Sequence, residues 1–149
     1  MNVIGIDTSA GYCSVGVAGD TVNPVERNET VGIKFNETLF EMLGDVLIQA
    51  GLAQLSGINL RLKKRSVNGI AVNIGPGSFT GVRVGMSAAK GLAHSLSIPV
   101  TGVSAYEVLA HKAIPEDFPL CCIVPLKGEK ISYLIYNKPG AAAGPETGA

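Results

Sequence analysis

Residues 74–85 read IGPGSFTGVRVG, a stretch whose composition suits phosphate chemistry. It follows an apolar run, GIAVNI (69–74), that predicts a buried strand. Gly75, Gly77 and Gly81 let a backbone come close to a neighbour or a ligand. Pro76 stiffens the turn. Ser78 is placed to cap a helix, and Thr80 falls in its first turn. The N–H groups there point outward with partial positive charge, which makes an anion site. Arg83, about one turn further on, can fork onto a carboxylate or phosphate. At the other end of the chain, Asp7 closes the apolar run VIGID and is followed by Thr8 and Ser9. Its carboxylate could face a nucleotide, or accept the turn N–H groups of Ser9 or Ala10. Asp7, Thr8, Ser9, Gly75, Gly77, Ser78, Thr80 and Arg83 are thus the candidate nucleotide or anion loops.

Known chemistries are excluded by spacing. The loop lacks the lysine of a Walker loop, the GxGxxG of a Rossmann turn and the GxSxG of a hydrolase elbow. Cys13, Cys121, Cys122, His94 and His111 show no CxxC, HExxH or HxxxH spacing, so no metal site and no catalytic residue is predicted. An odd cysteine count with two adjacent suits reduced core thiols of a cytoplasmic protein. The run Arg61-Leu62-Lys63-Lys64-Arg65 could touch RNA phosphate, or form a solvated loop or helix end. It has no interleaved aromatics.

Two helices must position these groups. The first is predicted from an Asn36 cap to about Ala50, with Gly51 as its stop. Leu39, Met42, Leu43, Val46, Leu47 and Ala50 recur at helical spacing, and Phe40 widens the arc beyond one buried face. The second runs from about Phe79 to Ser95. In it Gly81, Gly85, Ala89 and Ala93 recur every four residues. A helical glycine costs roughly 0.8–1 kcal/mol against alanine, so Gly85 and Gly91 predict close approach by another element. That element is either the domain's own sheet or a helix of another chain. The predicted partner surface comprises Leu39, Phe40, Leu43, Val46, Leu47, Gly81, Gly85, Ala89 and Ala93.

Strands are predicted at 3–7, 13–18 and from Thr21 onward, the last an edge because of Pro24. After the first helix come 69–74, the second helix, strand 98–104, a helix over AYEVLAHKA, and strands 120–126 and 130–136. A meander followed by βαβαβ is a mixed α/β sheet flanked by helices, the order of a ribonuclease H-like or actin-like ATPase lobe. The 149 residues suit one domain or a domain plus a fragment. Composition is 46% hydrophobic and 16% charged, which argues against disorder. Formal net charge is zero, so no global basic field holds nucleic acid. Zero charge also removes the self-repulsion that keeps proteins monomeric. The N-terminus carries no basic leader region, and no apolar run approaches a membrane span.

The block IGPGSFTGVRVGMSAAKGLA resembles the signature of the bacterial TsaB (YeaZ) family. VIGIDTSAGYCSVGV resembles its N-terminal hairpin, and NETLFEML with the helix to Gly51 resembles its first helix. The resemblance spans about residues 1–113. It implies an actin-like (ASKHA) fold and a part in making N6-threonylcarbamoyladenosine (t6A) at position 37 of tRNAs that read ANN codons. It implies a scaffold and activator of the catalytic subunit TsaD, with the ATPase TsaE in the same assembly. The chain itself is expected to have no intrinsic activity, to meet tRNA through the complex, and to pair with itself when alone. The residues single out no cofactor, and ATP or ADP at the complex interface is the one the resemblance admits. An older glycoprotease assignment of the superfamily finds no protease constellation here. Phe35 stands where relatives often have histidine, and Val124-Pro125-Leu126 where they often have aspartate-alanine-arginine. Residues 55–66 look longer and more basic. Residues 1–113 are expected to form the N-terminal lobe. Residues 114–149 are expected to be the truncated start of a second, with a flexible Gly/Ala/Pro tail. Two readings stand beside this one: an ASKHA-type ATPase or phosphotransferase using Asp7, Gly75–Ser78 and Thr80, and a direct RNA-binding module using Arg61–Arg65.

Overall fold

The computed structural model describes residues 1–30, 35–56, 59–113, 119–138 and 141–142. The chain opens with strands β1 (Asn2–Asp7), β2 (Tyr12–Gly19) and β3 (Val22–Thr30), which pair antiparallel as the predicted meander. Helix α1 (Phe35–Gln49) follows, then a short antiparallel hairpin of β4 (Ala53–Ser56) and β5 (Asn59–Leu62). Next come β6 (Gly69–Asn73), α2 (Phe79–Leu96), β7 (Val100–Val103) and α3 (Ala105–Lys112). β6 pairs parallel with β1, and β7 parallel with β6, so the main sheet runs β3-β2-β1-β6-β7. β3 is an edge, as Pro24 requires. The strands β8 (Leu120–Pro125), β9 (Ile131–Lys138) and β10 (Ala141–Ala142) form a separate antiparallel sheet. Residues 143–149 of the expected tail lie outside the described residues.

Strand alternation builds the core. Ile4 and Ile6 of β1, Val15 and Val17 of β2, and Ile70 and Val72 of β6 are buried against α1 and α2. Leu39, Met42, Leu43, Val46 and Leu47 meet them from α1, and Ala89 and Ala93 from α2. Cys13 joins this core and Cys122 is buried in β8, but the adjacent Cys121 turns outward and is exposed, so not all three thiols lie in the core. α1 closes as predicted at Gly51, which has φ 70°. The Gly51 N–H donates to Ile48 O and the Leu52 N–H to Leu47 O, each at 2.9 Å, the Schellman pattern. No helix of the described residues is long and apolar enough to cross a membrane.

Three expectations are corrected. Asn36 does not cap α1, because the helix begins at Phe35 and Asn36 lies within it. The basic run is only in part the expected solvated loop: Lys63, Lys64 and Arg65 form an exposed turn, but Arg61 and Leu62 belong to β5, where they pair with Gln54 and Ala53 of β4. Most of the predicted partner surface is inside the chain. Leu39, Leu43, Val46, Leu47, Gly81, Gly85, Ala89 and Ala93 are all buried by the chain's own sheet and helices. Their apolarity satisfies the monomer core. Of that set only Phe40 is exposed, at 54%.

Candidate functional site

The parallel register of β1 with β6 sets Ile6 opposite Val72, so the ends of the two strands stand side by side. This brings Asp7 to Asn73. Asn73 Nδ2 donates to Asp7 Oδ2 at 2.9 Å, and the Ser9 N–H donates to Asp7 Oδ1 at 2.8 Å. Asn73 Oδ1 in turn accepts the Gly75 N–H at 2.7 Å. Both carboxylate oxygens are therefore engaged, and the aspartate, strand end and glycine loop form one polar relay. Asn73 was not among the candidate residues. The signal for it was a polar amide closing an otherwise apolar strand immediately before the loop.

The β1–β2 turn then packs directly on the start of α2. Ser78 N–H donates to Ser9 O at 2.6 Å, and Thr8 Oγ1 donates to Gly81 O at 2.6 Å. Thr8 and Ser9 are only 2% and 4% exposed. Ser78 caps α2 as predicted, its Oγ accepting the Gly81 N–H at 3.2 Å. The glycines make this seat possible. A Cβ on Gly77 would stand 2.5 Å from Ser9 O, one on Gly85 2.5 Å from Thr8 Oγ1, and one on Gly81 would collide with Thr8 O. Close approach is real, then, but the approaching element is the chain's own turn. Gly91 is different, because nothing lies within 4 Å of its Cβ position. Its helical cost has no packing compensation of the kind predicted.

The eight candidate residues divide into two places. Asp7, Thr8, Ser9, Gly75, Gly77 and Ser78 gather at the loop end of the sheet. Thr80 and Arg83 lie on the outer face of α2, in a groove of about 600 Å³ shared with Phe40, Val84, Ser87 and Ala88. There the Arg83 guanidinium lies over the Phe79 ring, 5.2 Å from its centroid, and Phe79 is 76% exposed.

Asp7 and Asn73 also border a larger cleft of about 1050 Å³ on the sheet face opposite α1 and α2. Alternate residues Val3, Gly5, Ser14, Gly16 and Ala71 form its floor, and Val108 and Lys112 of α3 reach its margin. Tyr12, on the rim, has its phenol pushed up by burial and by the charges of Asp7 and Glu26. Cys13, facing the core, is raised to about 11 by burial, then by Glu29 and Asp7, so it is no thiolate nucleophile at neutral pH. Among the described residues no three histidine, cysteine, aspartate or glutamate side chains converge on a metal position. His94 and His111 stand exposed in the last turns of α2 and α3.

Comparison with known proteins places this arrangement. A family model described as TsaD, tRNA N6-adenosine threonylcarbamoyltransferase, matches residues 47–134, more than half of the chain. The tRNA threonylcarbamoyladenosine biosynthesis protein TsaB of Escherichia coli (strain K12) is 33% identical over 114 residues, 76% of this chain and 44% of that protein. The TsaB of Buchnera aphidicola subsp. Schizaphis graminum is 32% identical over 111 residues, 74% of this chain and 48% of that protein. YeaZ from Pseudomonas aeruginosa superposes with a TM-score of 0.72 at 27% identity, covering 92% of this chain and 59% of that one. The chain thus spans less than half the length of the curated relatives it matches. With its meander-first mixed sheet, its glycine-seated second helix and these likenesses, the chain has an actin-like lobe and belongs to the TsaB (YeaZ) family.

Proposed function

We propose that this chain is a non-catalytic scaffold and activator in the cytoplasmic formation of t6A at position 37 of ANN-decoding tRNAs, and that it acts by binding TsaD. TsaE joins the same assembly, and β8–β10 begin a second lobe. The observation that carries the reading is the outer groove between α1 and α2. Phe40 is 54% exposed on a helix whose other large apolar residues mostly turn inward. Beside it lie Thr80, Arg83, Val84, Ser87 and Ala88, with the Phe79–Arg83 stack at the edge. An exposed aromatic beside small residues and a stacked arginine has the composition of an interface hot spot. The same groove pairs two copies when TsaD is absent. The non-catalytic role is supported by Asp7, whose two carboxylate oxygens already serve Ser9 and Asn73.

The test is Phe40→Glu, measured by titration against TsaD. Phe40 is exposed, so the variant keeps the parent's melting temperature. Affinity for TsaD falls by roughly 10-fold or more, the loss typical of a hot-spot side chain, and self-association weakens with it. Unchanged affinity for TsaD would remove the groove from the reading.

A further inference from the structure

The net charge of zero conceals a segregation along the chain. Its twelve carboxylates all fall within residues 1–45 and 107–149. Residues 46–106 contain none, yet they carry Arg61, Lys63, Lys64, Arg65, Arg83 and Lys90. Four of these six lie on the β4–β5 hairpin and the turn that leaves it. Alternation along β5 sorts the side chains into two faces. Leu62 packs against the core, and Leu60 Cδ2 comes 3.8 Å from the Cβ position of Gly44, so the leucines face α1. Arg61 pairs across the hairpin with Gln54, and Asn59 with Ser56, which puts these polar residues on the opposite side. Lys63 continues the ladder, its N–H donating to Leu52 O at 2.8 Å. The Ser66 N–H then donates to Lys63 O at 3.1 Å, closing a turn in which Lys64 and Arg65 are exposed and Arg65 has φ 56°. Among the described residues none of the four cations is ion-paired.

We propose that the outer face of this hairpin, through Arg61, Lys63, Lys64 and Arg65, binds the phosphate backbone of RNA. The RNA is tRNA, an identification that rests on the function proposed above. Strand residues two apart stand about 6.8 Å from one another, comparable to the step between successive phosphates of a nucleotide chain. Gln54 and Asn59, beside the cations, are neutral donors of the kind that contact phosphate and sugar. The contact is sequence-independent, and it adds affinity rather than choice of tRNA. A membrane surface fits less well. An interfacial element lays a continuous apolar face, opposite its cations, into the bilayer. Here that face is taken up within the chain, with Leu62 packed on the core and Leu60 against Gly44 of α1, and of the hairpin leucines only Leu55 is largely exposed.

The experiment titrates the full chain with an ANN-decoding tRNA transcript by fluorescence anisotropy between 50 and 200 mM salt. The variant carries Arg61→Gln, Lys63→Gln, Lys64→Gln and Arg65→Gln together. Four phosphate contacts correspond to a slope of log affinity on log salt of about −3, at roughly 0.7 per contact. The variant loses that slope and binds roughly 10–100-fold more weakly at low salt. Lys64→Gln with Arg65→Gln alone loses about half of it. Lys127→Gln with Lys130→Gln, exposed cations of the turn between β8 and β9, changes nothing. All four hairpin cations are exposed, so the parent melting temperature is retained, and this is checked first. Absence of tRNA binding by the parent, or binding indifferent to the four substitutions, overturns the inference. So does tighter binding to phosphatidylglycerol vesicles than to tRNA that is lost in the same variant. A chain that binds TsaD but not tRNA sinks this inference and leaves the proposed function standing. One that binds tRNA through the hairpin but not TsaD does the reverse.

Discussion

Asp7 illustrates how little a residue type says until its partners are known. One oxygen holds the Ser9 N–H and the other holds Asn73 Nδ2, which in turn fixes Gly75 through Asn73 Oδ1. Hydrogen bonds to a charged acceptor are worth about 1.5–3 kcal/mol each. The aspartate therefore fastens the loop to the sheet. Cys13 permits a direct check at the same scale. Burial, then Glu29 and Asp7, raises its thiol from 9.0 to about 11. The fold favours the protonated form, so the stabilising contribution is present below pH 9 and is lost as pH rises through 11. Urea midpoints of the parent are expected to fall across pH 9 to 11. Cys13→Ala, less stable at neutral pH, should fall less steeply over that window, because tyrosines titrate equally in both. Parallel curves for the two proteins would show that Cys13 does not carry the effect.

At the level of elements, α2 is held by its small residues. Its N-terminus is capped by Ser78, and its first two turns rest on Thr8 and Ser9. The glycine spacing was legible in the sequence as a close approach. What approached was not, because a small-residue face accepts a strand turn or a foreign helix equally well. Gly81→Ala drives a Cβ into the Thr8 carbonyl, backbone that cannot swing aside. It should destabilise the chain by about 1–3 kcal/mol. Gly91→Ala meets open space in the same helix and should stabilise by roughly 0.8–1 kcal/mol. Paired chemical denaturation curves measure both, and equal shifts of one sign would refute the packing account. The hairpin β4–β5 shows the opposite limit. Four-residue strands carry two or three alternations each, too few to stand out beside a basic run.

For the whole molecule, the decisive fact is that α1 and α2 lie on one face of the β3-β2-β1-β6-β7 sheet. Val46, 1% exposed, and Ala89, 0% exposed, sit where these layers meet. Val46→Asp leaves a buried charge without a partner, a cost of roughly 3–5 kcal/mol. It should remove most of the cooperative thermal transition, where Phe40→Glu leaves it intact. A folded Val46→Asp protein with a parental melting curve would contradict the layer arrangement. The order of the main-sheet strands and the helices, the edge strand, the Ser78 cap and the Gly51 stop were determined by the sequence itself. Each follows from local rules: alternation, helical period, the missing N–H of proline and the backbone of glycine. Only the tertiary structure decided which apolar residues of α1 remain outside, what the glycines of α2 touch, and that Asn73 completes the Asp7 relay. Those depend on which face meets which layer. A helical period marks an apolar face without naming its partner, and Asp7 and Asn73, 66 residues apart, meet only through the parallel pairing of β1 and β6.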